Sequence, residues 1–148
     1  MWNPGKSVQA SSICTKIVIV LVICAVFAAP FMVKSYAAYA GKNPHLIGPL
    51  LATIYAGTVP GLAALVSLDR LLANLKKKDV FIEKNVKYLR VISWCSFAVS
   101  AILFLSGFYY LLFLVVAIAA AFFGLILRVV KNVIEQAVAI KDENDFTI

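Results

Sequence analysis

Hydrophobic positions along this chain fall into long, nearly unbroken runs whose edges are marked by charge. Between Lys16 and Lys34 lie seventeen uncharged residues, Ile17 to Val33. At about 1.5 Å of helix rise per residue, such a run is just long enough for the roughly 30 Å hydrocarbon core of a bilayer. The small polar stretch from Ser11 to Thr15 can lengthen it. A second run, Leu46 to Leu68, is long enough to span with tilt, and a third, Val91 to Leu127, has thirty-seven residues. As one helix the third would be about 55 Å long, far more than a bilayer accepts. It must fold back, and Ser106-Gly107 is the plausible breakpoint. The pattern therefore predicts four spans, about 14–34, 46–68, 88–105 and 109–130. A loop over 69–87 and a tail over 131–148 complete one domain covering 1–148.

Helical spacing continues past the spans. Leu68, Leu71, Leu72 and Leu75 extend span 2 until Lys76-Lys77-Lys78 ends it, cations that suit the C-terminal end of a helix. Asp79 reads as the N-cap of the next helix, with Phe81, Asn85, Tyr88, Leu89 and Ile92 along one face. The loop is thus expected to be a compact helical hairpin in which Leu71, Leu72, Leu75, Phe81 and Leu89 pack together. Trp94 falls where a membrane interface suits its ring. Val130, Val133, Ile134, Ala137 and Val138 carry the last helix beyond its span, towards an acidic end at Asp142, Glu143 and Asp145.

Composition agrees. Of 148 residues 63% are hydrophobic and 14% charged, with a mean hydropathy of +0.94. A soluble domain carries about 45–50% apolar and about 25% charged residues, so a water-soluble, disordered or disulfide-rich chain is excluded. The fold class expected is all-α, an integral membrane four-helix bundle with cytoplasmic helical extensions. The orientation follows from the net charge of +7: twelve of the fourteen lysines and arginines lie on the side of the termini and middle loop, and only Lys34 and Lys42 on the other. Cytoplasmic loops of membrane proteins carry such an excess, which places both termini and the middle loop inside the cell. Ala38-Tyr39-Ala40 has the form of a signal-peptidase site, but the apolar run before it exceeds an ordinary signal core and Lys34 intrudes. The run is read as a span.

Chemistry is sparse. One histidine, His45, lies in the predicted outer loop; Cys14, Cys24 and Cys95 show no C-x-x-C spacing; no phosphate-binding loop, nucleophile elbow or zinc-protease motif occurs. No catalytic residue, metal or cofactor is expected, and the protein is read as a non-enzyme. None of the uncharged runs contains an ionisable residue of the kind that ion-coupled carriers keep inside the membrane. Thr53, Tyr55, Thr58, Ser96 and Ser100 are read as helix-to-helix hydrogen-bonding residues. Pro60, flanked by Gly57 and Gly61, marks helix packing or a hinge, and packing inside the bundle is the plainer reading. Lys76, Lys77, Lys78, Lys84, Lys87 and Arg90 suit anionic lipid at the cytoplasmic face, or a protein partner, better than nucleic acid.

The segment Asp79 to Cys95, with Phe81, Asn85, Val86, Leu89, Arg90, Ile92 and Trp94 at their positions, resembles the signature of a bacterial domain-of-unknown-function family, number 2975. The opening Met1 to Ser7 and the ending, Arg128 to Val133, Glu135 to Ala137 and Asp142 to Ile148, resemble it too. Lys76-Lys77-Lys78 departs from relatives that often have a glycine-containing turn there. The resemblance implies a small four-span protein without an established activity. Its genes often neighbour one for a small helix-turn-helix regulator, which implies a DNA-binding partner held at the membrane. The candidate partner or lipid surface is therefore Lys76, Lys77, Lys78, Phe81, Asn85, Arg90, Glu135, Asp142, Glu143 and Asp145, with the basic loop and acidic tail pairing in one state. A small channel or carrier for a neutral or lipid-like solute, or immunity to a membrane-active peptide, is the alternative, and a homodimer a further candidate.

Overall fold

A computed structural model of the chain describes residues 3–147; Met1, Trp2 and Ile148 of the opening and ending motifs lie outside the described residues. Four helices follow one another: α1 (Pro4–Tyr39), α2 (Ile47–Lys76), α3 (Glu83–Ser106) and α4 (Leu112–Phe146), with a short 3-10 turn at Pro44–Leu46 before α2. All four are long and apolar enough to cross a membrane. Asn3 caps α1 by accepting from the Gly5 amide, and Pro4 occupies the first turn, where its missing N–H goes unused. The helix then runs through Pro30 and on to Tyr39, past the expected end of the span near 34, so Tyr36 and Tyr39 stand on its last turns. Likewise α2 is continuous through Pro60.

The helices pack in chain order: α1 along α2, α2 along α3, and α3 along α4. At the end that carries the chain termini, side chains of α2, α3 and α4 share one apolar cluster. There Leu71, Leu89 and Ile92 form a buried cluster against which Leu68, Leu75, Leu127 and Ile134 pack. Most other large apolar side chains, such as Phe27, Phe31, Phe122 and Phe123, are exposed. In a membrane that surface meets acyl chains as apolar as itself, so it needs no protein cover.

The turn between α3 and α4 falls at Ser106-Gly107, as the length of the third run requires. A β-carbon on Gly107 would collide with the Leu114 side chain, which would have to move aside, so the missing side chain lets α4 come close at the turn. The other hairpin differs from its expected form. Helix α3 begins at Glu83, after Ile82 and with no side-chain cap; Asp79 is not its N-cap, because three residues, Val80 to Ile82, separate the two. Phe81 lies in that turn, 46% exposed and outside the leucine cluster.

Candidate functional site

The end of the molecule bearing the termini and the α2–α3 turn holds nearly every residue expected to act. Helix α2 stops at Lys76 in a Schellman arrangement: the Lys78 amide donates to the Leu75 carbonyl at 3.0 Å, and the Asp79 amide to the Asn74 carbonyl at 3.1 Å. That closure needs a left-handed residue, and Lys78 supplies it at φ 64°. Glycine adopts this conformation without a steric penalty, and here the lysine accepts the strain. Lys76, Lys77 and Lys78 are all exposed, as a surface role requires.

Asn85 is not a surface residue. It is 1% exposed and serves as the pin of the turn. Its Nδ2 donates to the Asp79 carbonyl at 2.7 Å and the Val80 carbonyl at 2.8 Å, while Oδ1 accepts from Asn74 Nδ2 at 2.9 Å. With both amide hydrogens and the oxygen engaged and the side chain buried, it is out of reach of a partner. Its place in the candidate surface is thereby corrected: the residue shapes the surface from beneath.

Arg90 and Glu135 face each other across α3 and α4 at 3.3 Å, and Glu135 is also bonded by Lys131 at 2.7 Å. The Lys131 ammonium, donating to the carboxylate, holds Glu135 below the usual carboxylate range; partial burial opposes the shift and Arg90 adds to it. One turn further along the same face of α3, Arg128 of α4 lies over the Trp94 ring, 5.2 Å from its centroid. These contacts tie α4 to α3 just beyond the apolar run. After them α4 continues as helix through the acidic segment to Phe146, with residues 139–147 exposed. Among the described residues, Asp142, Glu143 and Asp145 form no ion pair, so the expected pairing of basic loop and acidic tail is absent from this structure.

Within the apolar layer, the small residues sort differently from their sequence reading. A β-carbon on Gly57 or Gly61 would meet nothing within 4 Å, so no helix of this chain packs there. The close approach is instead at Gly124, where an added β-carbon would lie 3.2 Å from the Phe97 ring. Ser93, 1% exposed, donates to the Gly124 carbonyl at 2.9 Å, and Ser100 to the Ala117 carbonyl at 2.7 Å. Ser93 and Ser100 stand seven residues apart on one face of α3, a spacing that could have marked the α3–α4 seam. Tyr55 bonds the Val26 carbonyl on α1, as expected of a helix-to-helix contact.

The opposite end is closed by hydroxyl groups. Thr53 meets Ser106 at 2.7 Å and also bonds Tyr109, which donates to the Pro49 carbonyl at 3.1 Å. Tyr36 and Tyr110 share a bond of 2.9 Å, and Lys42 sits 5.7 Å from the Tyr110 ring centroid. His45 lies beside this knot in the 3-10 turn.

This arrangement defines a class: an all-helical multi-pass membrane protein with polar clusters at its two ends and a few helix-to-helix hydrogen bonds between them. The chain belongs to the family described as "Protein of unknown function (DUF2975)", whose model matches residues 10–148. No curated protein and no solved structure matches it.

Proposed function

We propose that this is a non-enzymatic protein of a bacterial cell membrane, with both termini and the α2–α3 turn in the cytoplasm, and that the end of α4 binds a soluble partner. The observation that carries the reading is the exposed acidic segment. Asp142, Glu143 and Asp145 project on the last turns of α4, without an ion pair among the described residues, from a chain whose net charge is +7. Three carboxylates displayed in this way offer complementary charge to a basic surface, and such charge chiefly steers encounter and selects partners. A small helix-turn-helix regulator has the required chemistry, and holding it at the membrane would keep it from DNA. The excess of lysine and arginine on this side supports the orientation.

A crosslinked pull-down from native membranes, full length beside a chain ending at Lys141, tests the partner. Enrichment of a soluble basic protein with the full-length chain alone is the expected result; equal retention by both chains would refute the reading. Labelling with a membrane-impermeant maleimide, on cysteine-free backgrounds carrying Lys77→Cys or Lys42→Cys, tests the orientation. Only the second should react in intact cells.

A further inference from the structure

Between the first turns of α1 and the end of α2 lies a cavity of about 760 Å³ that the partner reading does not use. Asn3, Gln9 and the side chains of Val8, Leu75 and Val80 line it, together with Lys76 and Lys78. Its volume falls within the roughly 300–1,000 Å³ range of small-ligand sites. Its chemistry is one-sided. Two lysines line it and no acidic residue does, and neither ammonium has a carboxylate within ion-pair distance among the described residues. The rest of the wall combines the neutral polar side chains of Asn3 and Gln9 with apolar Pro4, Val8, Leu75 and Val80. Leu75 and Val80 also line a second, almost wholly apolar cavity of about 240 Å³ beneath the turn, with Leu71, Leu89, Val130 and Ile134.

The position of the lysines is built by the fold. The Schellman closure forces Lys78 to φ 64°, which turns the chain back so that Lys76 and Lys78 share one cavity. Lys84 and Lys87, equally cationic, do not line it, and Lys87 is already engaged by Glu83 at 3.5 Å.

We propose that this cavity is a binding site for a phosphate ester, the phosphate held by Lys76 and Lys78 and the adjoining carbon skeleton by Val8, Leu75 and Val80. An anionic phospholipid headgroup and a free phosphorylated metabolite present the same chemistry, and the assay separates them. The site stands independently of the soluble partner, since it uses no residue of the acidic segment.

The test uses the full chain in detergent micelles. Native mass spectrometry reads retention of dioleoyl phosphatidylglycerol against dioleoyl phosphatidylcholine, and calorimetry reads binding of glycerol 3-phosphate. Three variants are compared with wild type: the pair Lys76→Gln and Lys78→Gln, the pair Lys84→Gln and Lys87→Gln, and Val8→Trp. The third fills the cavity without changing charge, and helical content by circular dichroism confirms that each variant is folded. Retention of phosphatidylglycerol should weaken by about tenfold or more in the first pair and in Val8→Trp, and stay near wild type in the second pair. The same pattern with glycerol 3-phosphate alone would assign the site to a free ester, with the shared chemistry upheld. Equal weakening by both lysine pairs would reduce the cavity to a diffuse basic surface and overturn the proposal, as would no retention of either probe by wild type.

Discussion

Asn85 offers the sharpest check on how this molecule is held together. Its side chain makes three hydrogen bonds of 2.7–2.9 Å at 1% exposure, and they close the only turn between α2 and α3 within the described residues. Each neutral bond contributes about 1 kcal/mol net, and a buried group left without a partner costs about 1–3 kcal/mol. Asp79 and Val80 are themselves exposed, so their carbonyls can turn to water, which puts the penalty at the lower end. Asn85→Ala should therefore destabilise by about 2–3 kcal/mol. Asn85→Asp keeps the shape but faces two carbonyl oxygens with a carboxylate. At neutral pH it should cost more, about 3–5 kcal/mol, because a buried charge is left uncompensated. The acid is then the less stable form when ionised, so Asn85→Asp should recover towards Asn85→Ala as pH falls and the carboxyl gains a proton it can donate. Denaturant unfolding in micelles gives the magnitudes, and amide hydrogen exchange over Asp79–Glu83 should show the loss locally. Variants within about 0.5 kcal/mol of wild type, with unchanged exchange in the turn, would refute the pin.

Lys78→Gly should stabilise by about 0.5–1 kcal/mol in unfolding experiments, since left-handed strain of about 1–2 kcal/mol is relieved and the flexibility of glycine in the unfolded chain offsets part of it. Gly124→Val should destabilise by about 1–3 kcal/mol through overpacking against Phe97, whereas Gly57→Ala and Gly61→Ala should leave the unfolding of the isolated protein unchanged or slightly improved. The depressed carboxyl of Glu135 contributes stability that is fully present above its unfolded value, about 4.3, and is lost as pH falls through the lower folded value. The difference in thermal midpoint between wild type and Glu135→Gln should accordingly shrink between pH 7 and pH 3; a constant difference would detach Glu135 from the Lys131 contact.

Much of the architecture was legible because crossing a membrane is a property of each segment by itself. The uncharged runs, their lengths and the excess length of Val91–Leu127 sufficed for four helices and for the reversal at Ser106-Gly107. The lysines that end α2 and the apolar stripe that carries α4 past its span were legible for the same local reason. The family, too, was legible in sequence, in the segment from Phe81 to Trp94 and in the C-terminal ending, whereas the opening Met1 to Ser7 lies outside the matched residues 10–148.

What the tertiary structure decided is which surfaces meet. Inside a bilayer no hydrophobic force chooses one helix neighbour over another, so packing is selected by close fit and by isolated hydrogen bonds whose trace in the sequence is as slight as the pair Ser93 and Ser100. Gly57 and Gly61 have the spacing of a packing face, yet the close contact belongs to the solitary Gly124, because Phe97 and the Ser93 hydroxyl are there to meet it. Asn85 reads from sequence as one more polar residue of a basic loop. Only the approach of Asn74, Asp79 and Val80 around it makes it a buried support. The same closure, through the left-handed Lys78, gathers Lys76 and Lys78 beside the start of α1, some seventy residues away in the chain and adjacent only once α1 lies along α2.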